Sequence, residues 1–396
     1  MEFNRKLFVF IFIQIQMMGL VFVPSSFAKA LVLLTLFLTV VKGYRKGCLF
    51  IKPFVFLFLF CLVNMFSCYL LRGQTPIQFL IGKEFTNMLP ILSFFSIASF
   101  KLSDEKVEKT LIVLSSFFVC CYLLQYLVYP ISIFVNANEN AVAANARPRI
   151  PGQALLSIAF FYYLGKICDK WKWKYVIILL MALLCLLIMG FRSQLGVLFG
   201  VAGLFVIKRN RLTGKLLLYA VVGFAGLIAL SQVSVAQNKI NQMIERGQRD
   251  NFNNEDYVRI LSYRYFTINA PNNKFEKYMG IGLPNPNSKY GQKIQELKDR
   301  HIIWADWGLI GLAWVLGIPG TLCIVWYAMK AFLLKVDKRY YYLKYWFLFI
   351  VFASFLTREI YRDGAFAVQG LVLYLISKAH VQYMLNNPQT KKKYGL

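Results

Sequence analysis

Arg192 lies in Gly190-Phe191-Arg192-Ser193-Gln194, a tight turn between two strongly apolar segments. An arginine at membrane depth costs roughly 2.5–3.5 kcal/mol on insertion scales, a cost that a bound anion offsets. Its planar fork of donors matches the oxygens of phosphate and pyrophosphate. The plainer reading is an arginine that snorkels to lipid head groups. Arg149, in Arg147-Pro148-Arg149-Ile150-Pro151-Gly152, opens a helix whose first N–H groups add to anion attraction, or it is simple flanking charge. Arg358 and Arg362 form a third group, Arg358-Glu359-Ile360-Tyr361-Arg362-Asp363, whose own acids can neutralise them. Arg259 precedes Gly280-Ile281-Gly282 and alternatively pairs with Glu255 one helical turn earlier. Two residues could move a proton. His301 suits a general base or an orienting donor. Asp306 is the alternative base, or else the N-cap of the helix that begins near Trp307. Taken together, Arg149, Arg192, Arg259, Arg358 and Arg362 read as a pyrophosphate clamp. Arg192 and Arg259 stand nearest the chemistry, with His301 or Asp306 as base.

These residues share a level in the molecule because of how the chain is built. It is 58% hydrophobic and 17% aromatic, with 16% charged residues. A run of about 20 apolar residues spans the ~30 Å hydrocarbon core as a helix. Twelve candidate spans follow, near 7–24, 28–43, 50–71, 79–100, 109–129, 151–168, 172–191, 194–208, 214–235, 307–332, 343–357 and 364–380. Lys83 and Glu84 interrupt the start of the fourth. The loops between spans alternate. Outside the long 236–306 loop, 26 lysines and arginines fall in one set and 8 in the other. That asymmetry places both termini in the cytoplasm. Eleven of the sixteen arginines fall on the outer side, against the usual bias. The fold expected is therefore an all-α polytopic membrane protein, one membrane domain over 1–396 with a large periplasmic loop at 236–306 between spans nine and ten.

The net charge of +27 reads as topology and attraction to anionic lipids. It does not read as nucleic-acid binding, because the basic residues are scattered between spans. None of the eight cysteines falls in an outer loop, so no disulfide framework is expected, and no cysteine/histidine spacing suggests a metal. Residues 1–28 carry weak features of a signal peptide, with Arg5 and Lys6 before an apolar run and Ser26-Phe27-Ala28 after it. Within the long loop, a helix is expected from Glu255 with Asn254 as N-cap. Pro271-Asn272-Asn273 should break it, a turn-rich loop should run from Tyr278 to Asn287, and a second helix from Lys293 to Arg300. Trp304 and Trp307 fit an interfacial aromatic belt.

The pattern resembles the O-antigen polymerase and O-antigen ligase superfamily. The likeness rests on Arg149-Ile-Pro-Gly152, Phe191-Arg192-Ser193, Arg259 upstream of Gly280-Ile-Gly282, and His301 before Gly308-Leu-Ile-Gly311. It covers most of the chain in layout. In that family a histidine commonly stands about three turns before the Gly-Leu-Ile-Gly element, whereas His301 stands about two turns before it. The resemblance implies a GT-C-like, metal-independent glycosyltransferase without a cofactor, in the bacterial inner membrane. It would polymerise undecaprenyl-pyrophosphate-linked repeat units into O-antigen, capsule or exopolysaccharide. Its partners would be the lipid-linked donor and acceptor, membrane lipids, a chain-length regulator and a flippase. The ligase alternative would transfer glycan to lipid A core. A flippase or transporter is the rival from another class. It would need polar groups near the bilayer midplane, where Gln14, Gln16 and Asn64 are among the few present.

Overall fold

A computed structural model describes residues 4–17, 25–44, 48–128, 150–190, 192–210, 257–355 and 357–386, with isolated positions 131, 133 and 241. These residues are helical, and no strand occurs among them. The helices are α1 (Arg5–Gln14), α2 (Ser25–Gly43), α3 (Ile51–Arg72), α4 (Pro76–Ile81), α5 (Lys83–Met88), α6 (Ser93–Ser99), α7 (Asp104–Leu127), α8 (Ala154–Asp169), α9 (Trp173–Met189) and α10 (Arg192–Asn210). They continue as α11 (Val258–Arg264), α12 (Lys274–Met279), α13 (Lys289–Asp299), α14 (Gly308–Leu316), α15 (Ile318–Leu333), α16 (Tyr341–Ala353) and α17 (Ala365–Asn386). By length and composition, α3 and α7 can each cross a membrane. The helices α9 and α15, and α14 with the turn before it, are shorter apolar segments.

Most apolar runs fold as helices, and three depart from a single continuous helix. The run at 79–100 is three short helices and a turn. Gly82, in extended conformation, separates α4 from α5, and Pro90 lies in a 3₁₀ turn over Leu89–Leu92. Proline has no N–H to continue the ladder. The run at 307–332 is split between α14 and α15 at Gly317, whose φ is 91°. In the run at 7–24, α1 ends at Gln14, Gln16 takes a left-handed φ of 63°, and residues 18–24 lie outside the described residues. The expected span at 214–235 lies outside the described residues.

The Gly317 break has a cause in packing. A Cβ on Gly317 would stand 2.5 Å from the Met279 carbonyl oxygen, and one on Gly280 would stand 2.4 Å from the Gly317 nitrogen. Ile281 and Gly282 donate backbone hydrogen bonds to Trp314 and Val315 at 2.8 and 3.0 Å. The glycine loop is therefore laid against the broken helix and the side of α3. Asn64, buried in the apolar run of α3, donates to the carbonyls of Met279 and Val315 at 2.9 and 3.0 Å and accepts from Leu283 N at 3.3 Å. One side chain thus bonds three backbone groups in an apolar interior, sharing the Val315 carbonyl with Gly282 N. Gln74 continues the strap, donating to Leu283 O and accepting from Asn285 N, both at 2.9 Å.

The ionised groups collect at the two ends of α16 and α17. At one end, Glu108 at the start of α7 accepts from Arg339 and Tyr342, and Asp104 accepts from Gln382 near the end of α17 at 2.6 Å. Arg209 at the end of α10 bridges Asp169 and the Lys338 carbonyl. The other end gathers the close of α16, the start of α17, the start of α8 and the loop helices.

Candidate active site

The second end is built around the turn 357–364 between α16 and α17. Ser354 closes α16, its carbonyl accepting from Leu309 N at 2.7 Å and its hydroxyl from Ile360 N at 2.8 Å. Gly308 fits there because a Cβ would meet the Ser354 carbonyl at 2.0 Å. Tyr361 is buried, donates from its hydroxyl toward the Ala305 and Gly308 carbonyls, and stacks on Trp304 at 5.8 Å between ring centres. Trp304 is thus a core residue rather than part of an interfacial belt. Trp307 donates from its indole to the Arg259 carbonyl at 3.0 Å, and Ser262 accepts from Ile303 N at 3.1 Å. These contacts bring α11, the 301–308 turn and the 357–364 turn together across about 100 residues of sequence.

Four of the expected residues lie at this end: Arg259 through its carbonyl on the Trp307 indole, His301 and Asp306 in the 301–308 turn, and Arg358 in the turn that Tyr361 ties to Ala305. Burial raises the Asp306 carboxyl, while Arg259, Arg358 and, in its protonated form, His301 pull it down. The side chain keeps part of its surface open, so the desolvation is screened by solvent. Asp306 lies in a 3₁₀ turn over Trp304–Trp307, and no side-chain bond caps α14, so the N-cap expectation is not met. Arg358 is exposed, and its charge reaches Asp306, Glu359, Tyr361, Arg362 and Asp363.

Arg362 is differently placed. It is buried, 2.5 Å from Glu359 in an ion pair, and donates to Gln153 Oε1 at 2.5 Å. Burial lowers its pKa and Glu359 opposes that shift. Burial likewise raises Glu359, against Arg362 and Arg358. The acid–arginine pairing foreseen for this segment holds at Arg362 and leaves Arg358 facing outward. Arg192 heads α10 with its side chain exposed and takes part in none of the contacts just described. Arg149, and the Glu255 expected to pair with Arg259, lie outside the described residues.

His301 follows α13 with a left-handed φ of 62°. Its N–H bonds the Lys298 carbonyl and that of Ile302 bonds the Leu297 carbonyl, both at 2.9 Å. That is a Schellman cap with His301 at the left-handed position, normally a glycine. The imidazole is exposed, and its charge bears on Asp306.

Lys83, Glu84, Asn87 and Asp363 at this end were not proposed as site residues from sequence. Lys83 forms an ion pair with Asp363 at 2.9 Å, and Asp363 accepts from Asn87 at 2.9 Å, which accepts from Gln16 at 2.9 Å. Burial pushes Asp363 up, but Lys83, Arg358 and Arg362 outweigh it and hold the carboxyl below its ordinary range. Glu84 lies in the field of Asp363, Lys83, Arg358 and Lys298. The one available signal was the Lys83-Glu84 interruption of an apolar run. Arg72, by contrast, is committed elsewhere. It grips Glu276 through two hydrogen bonds of 2.7 and 2.6 Å, also donates to the Ala270 carbonyl, and lies over the Tyr290 ring.

The exposed Arg358 can bind an anionic group, and Asp306 or His301 can exchange a proton. No protein-family model matches the chain, and no curated protein matches it.

Proposed function

We propose that the protein is a membrane glycosyltransferase that polymerises undecaprenyl-pyrophosphate-linked oligosaccharide repeat units on the outer face of the bacterial inner membrane, with both termini in the cytoplasm. The observation that carries this reading is that the segments bearing Arg259, His301, Asp306 and Arg358 are bonded together at one end of the helical assembly, through Trp307 to the Arg259 carbonyl, Ile303 to Ser262 and Tyr361 to the Ala305 carbonyl. In the transfer, an acceptor hydroxyl oxygen bonds the anomeric carbon as the bond from that carbon to the pyrophosphate oxygen breaks. The hydroxyl proton passes to the Asp306 carboxylate or the His301 imidazole. The negative charge that grows on the departing pyrophosphate is met by Arg358 and Arg259, held in place before the reaction. Arg192 and Arg149 remain candidates for the distal phosphate, and Arg362 supports the site by fixing the 357–364 turn to Gln153.

Two further observations support this assignment over a transporter. Asn64, Gln14 and Gln16, the polar side chains noted within the spans, each donate to a partner in the protein. Asn64 holds the glycine loop, Gln14 donates to Thr35 at 2.7 Å, and Gln16 donates to Asn87. Among the described residues, the ion pairs Arg339–Glu108 and Arg209–Asp169 join loops that the asymmetry assigns to the cytoplasm, and Arg72–Glu276 and Arg362–Glu359 lie in those it assigns to the outside.

The test is transfer by purified protein in vesicles supplied with defined lipid-linked repeat units, with products resolved by size. A ladder in wild type that is lost in Arg358→Ala and Asp306→Asn variants that still fold is the expected result. A ladder that survives both, or transbilayer movement of the lipid without any glycan transfer, would sink the reading.

A further inference from the structure

The segment 270–283 was expected to be periplasmic loop, yet its contacts carry it down the side of α3. Glu276 is held by Arg72 at the last turn of α3, and Met279 is held by Asn64. Asn64 and Arg72 are eight residues apart, about 12 Å along a helix. Helix α12 therefore descends beside the final two turns of α3. Those turns present apolar side chains outward, with Leu70 77% exposed and Phe66 one turn below it also exposed. On the far side of the glycine loop, α15 presents Ile318, Leu322 and Trp326. Trp326 and Phe56 lie 6.2 Å apart, so α3 and α15 form one continuous apolar face.

Helix α12 adds to that face. Its inward residue, Glu276, is consumed by Arg72 and by Asn272 N at 2.5 Å. Its outward residues are Phe275, 47% exposed, and Tyr278, 57% exposed, three apart and so on one side of the helix. Ile268, in the π-turn before it, is 69% exposed. Lys274 and Lys277 flank these and are also exposed. Aromatic and aliphatic side chains bordered by lysines suit the head-group boundary of a bilayer.

We propose that α12 and the turn before it are immersed in the outer leaflet, with Ile268, Phe275 and Tyr278 against lipid and Lys274 and Lys277 reaching its phosphates. The inference rests on the membrane-spanning part of the reading above and is independent of the transferase assignment. Its basis is continuity. The same apolar face that α3 and α15 offer to lipid runs onto α12, at a depth fixed by Asn64 and Arg72.

Hydroxyl-radical footprinting of the wild-type chain in phosphatidylethanolamine–phosphatidylglycerol vesicles tests this without substitution. Oxidation of Phe275 and Tyr278 is compared with Tyr69 on α3 and with His301, each normalised to its rate in the denatured chain. The expected result is at least tenfold protection of both residues, matching Tyr69, with His301 labelled freely. Labelling of Phe275 and Tyr278 at the normalised rate of His301 overturns the proposal. Protection that disappears when the chain is diluted to about one copy per vesicle overturns it too, because the cover is then a second copy. Protection of Phe275 and Tyr278 in a preparation with no transferase activity leaves the immersion standing and removes only the enzyme reading.

Discussion

Substitutions at His301 separate two roles that the structure gives one residue. The backbone role is the Schellman cap, with φ at 62°. A residue with a Cβ in that conformation costs about 1–2 kcal/mol, which glycine avoids. Glycine brings about 0.5–1 kcal/mol of extra backbone entropy in the unfolded chain. The difference leaves His301→Gly roughly 0–1.5 kcal/mol more stable than wild type, while His301→Ala keeps the strain and gains nothing. The order of melting temperatures should therefore be Gly at or above His, and His at or above Ala, read by thermal unfolding in one detergent. The chemical role is separate. If the imidazole moves the acceptor proton, its loss lowers transfer by about 10²–10⁴-fold in the glycine and alanine variants alike. A glycine variant that is stable and inactive assigns the ring to the reaction. A glycine variant that retains transfer within about threefold refutes the base role and leaves Asp306 as the proton acceptor. A glycine variant less stable than alanine refutes the capping argument itself.

Other expectations follow from the same geometry. Asp306 has its pKa raised by burial, so the folded state binds a proton more readily than the unfolded one. Its contribution to stability is present below the ordinary aspartate range and is lost as pH rises through the raised value. Asp306→Asn should therefore raise the melting temperature at pH 7, with the gain vanishing at low pH. Arg358→Gln removes a charge that lowers this pKa, so the acid limb of the pH–rate profile should move to higher pH. An unmoved limb would mean that Arg358 does not act on the titrating group. Arg72→Ala leaves Glu276 charged and 1% exposed, at a cost of about 3–5 kcal/mol. Arg72→Ala with Glu276→Gln should recover a large part of that in a double-mutant cycle of melting free energies. Gly282→Ala places a Cβ 2.4 Å from Cys68 Sγ at a φ of 99°, and should destabilise by about 1–3 kcal/mol or more. Unchanged unfolding would mean that the glycine loop is not seated on α3.

The helices of this protein were legible in its apolar runs because burial in hydrocarbon or in a helical core imposes the same composition over 16 to 24 residues, as in α3, α7 and α15. The breaks were written there too, as Gly82 before Lys83-Glu84 and as Gly317-Ile318-Pro319, but hydropathy averages over them. The long-range polar pairs were not legible. Arg72 and Glu276 are 204 residues apart, and Asn87 and Asp363 are 276 apart, and nothing local marks either partner. The same blindness explains the arginines. Arg192 attracted attention through its apolar flanks, yet it heads a helix at an exposed rim. Arg358, one of a charged group that could have been self-neutralising, is the one the fold turns outward, because Glu359 and Gln153 are occupied by Arg362.

The hydrogen bonds of Asn64 also impose an order in time. Its two acceptors, the carbonyls of Met279 and Val315, lie 215 and 251 residues further along the chain. At the usual pace of synthesis, about 5–20 residues per second, α3 exists for roughly 10–50 s before its asparagine meets the last of its partners. During that interval the amide is carried in an apolar helix with only water or a transient neighbour to satisfy it. On the proposed membrane reading, a helix that inserts under that handicap needs surplus apolarity elsewhere. The phenylalanine-rich first half of α3, from Ile51 to Phe60, supplies it. Replacing those phenylalanines with smaller residues should then hinder biogenesis more than it weakens the finished fold, since by completion Asn64 is paired and the handicap is gone.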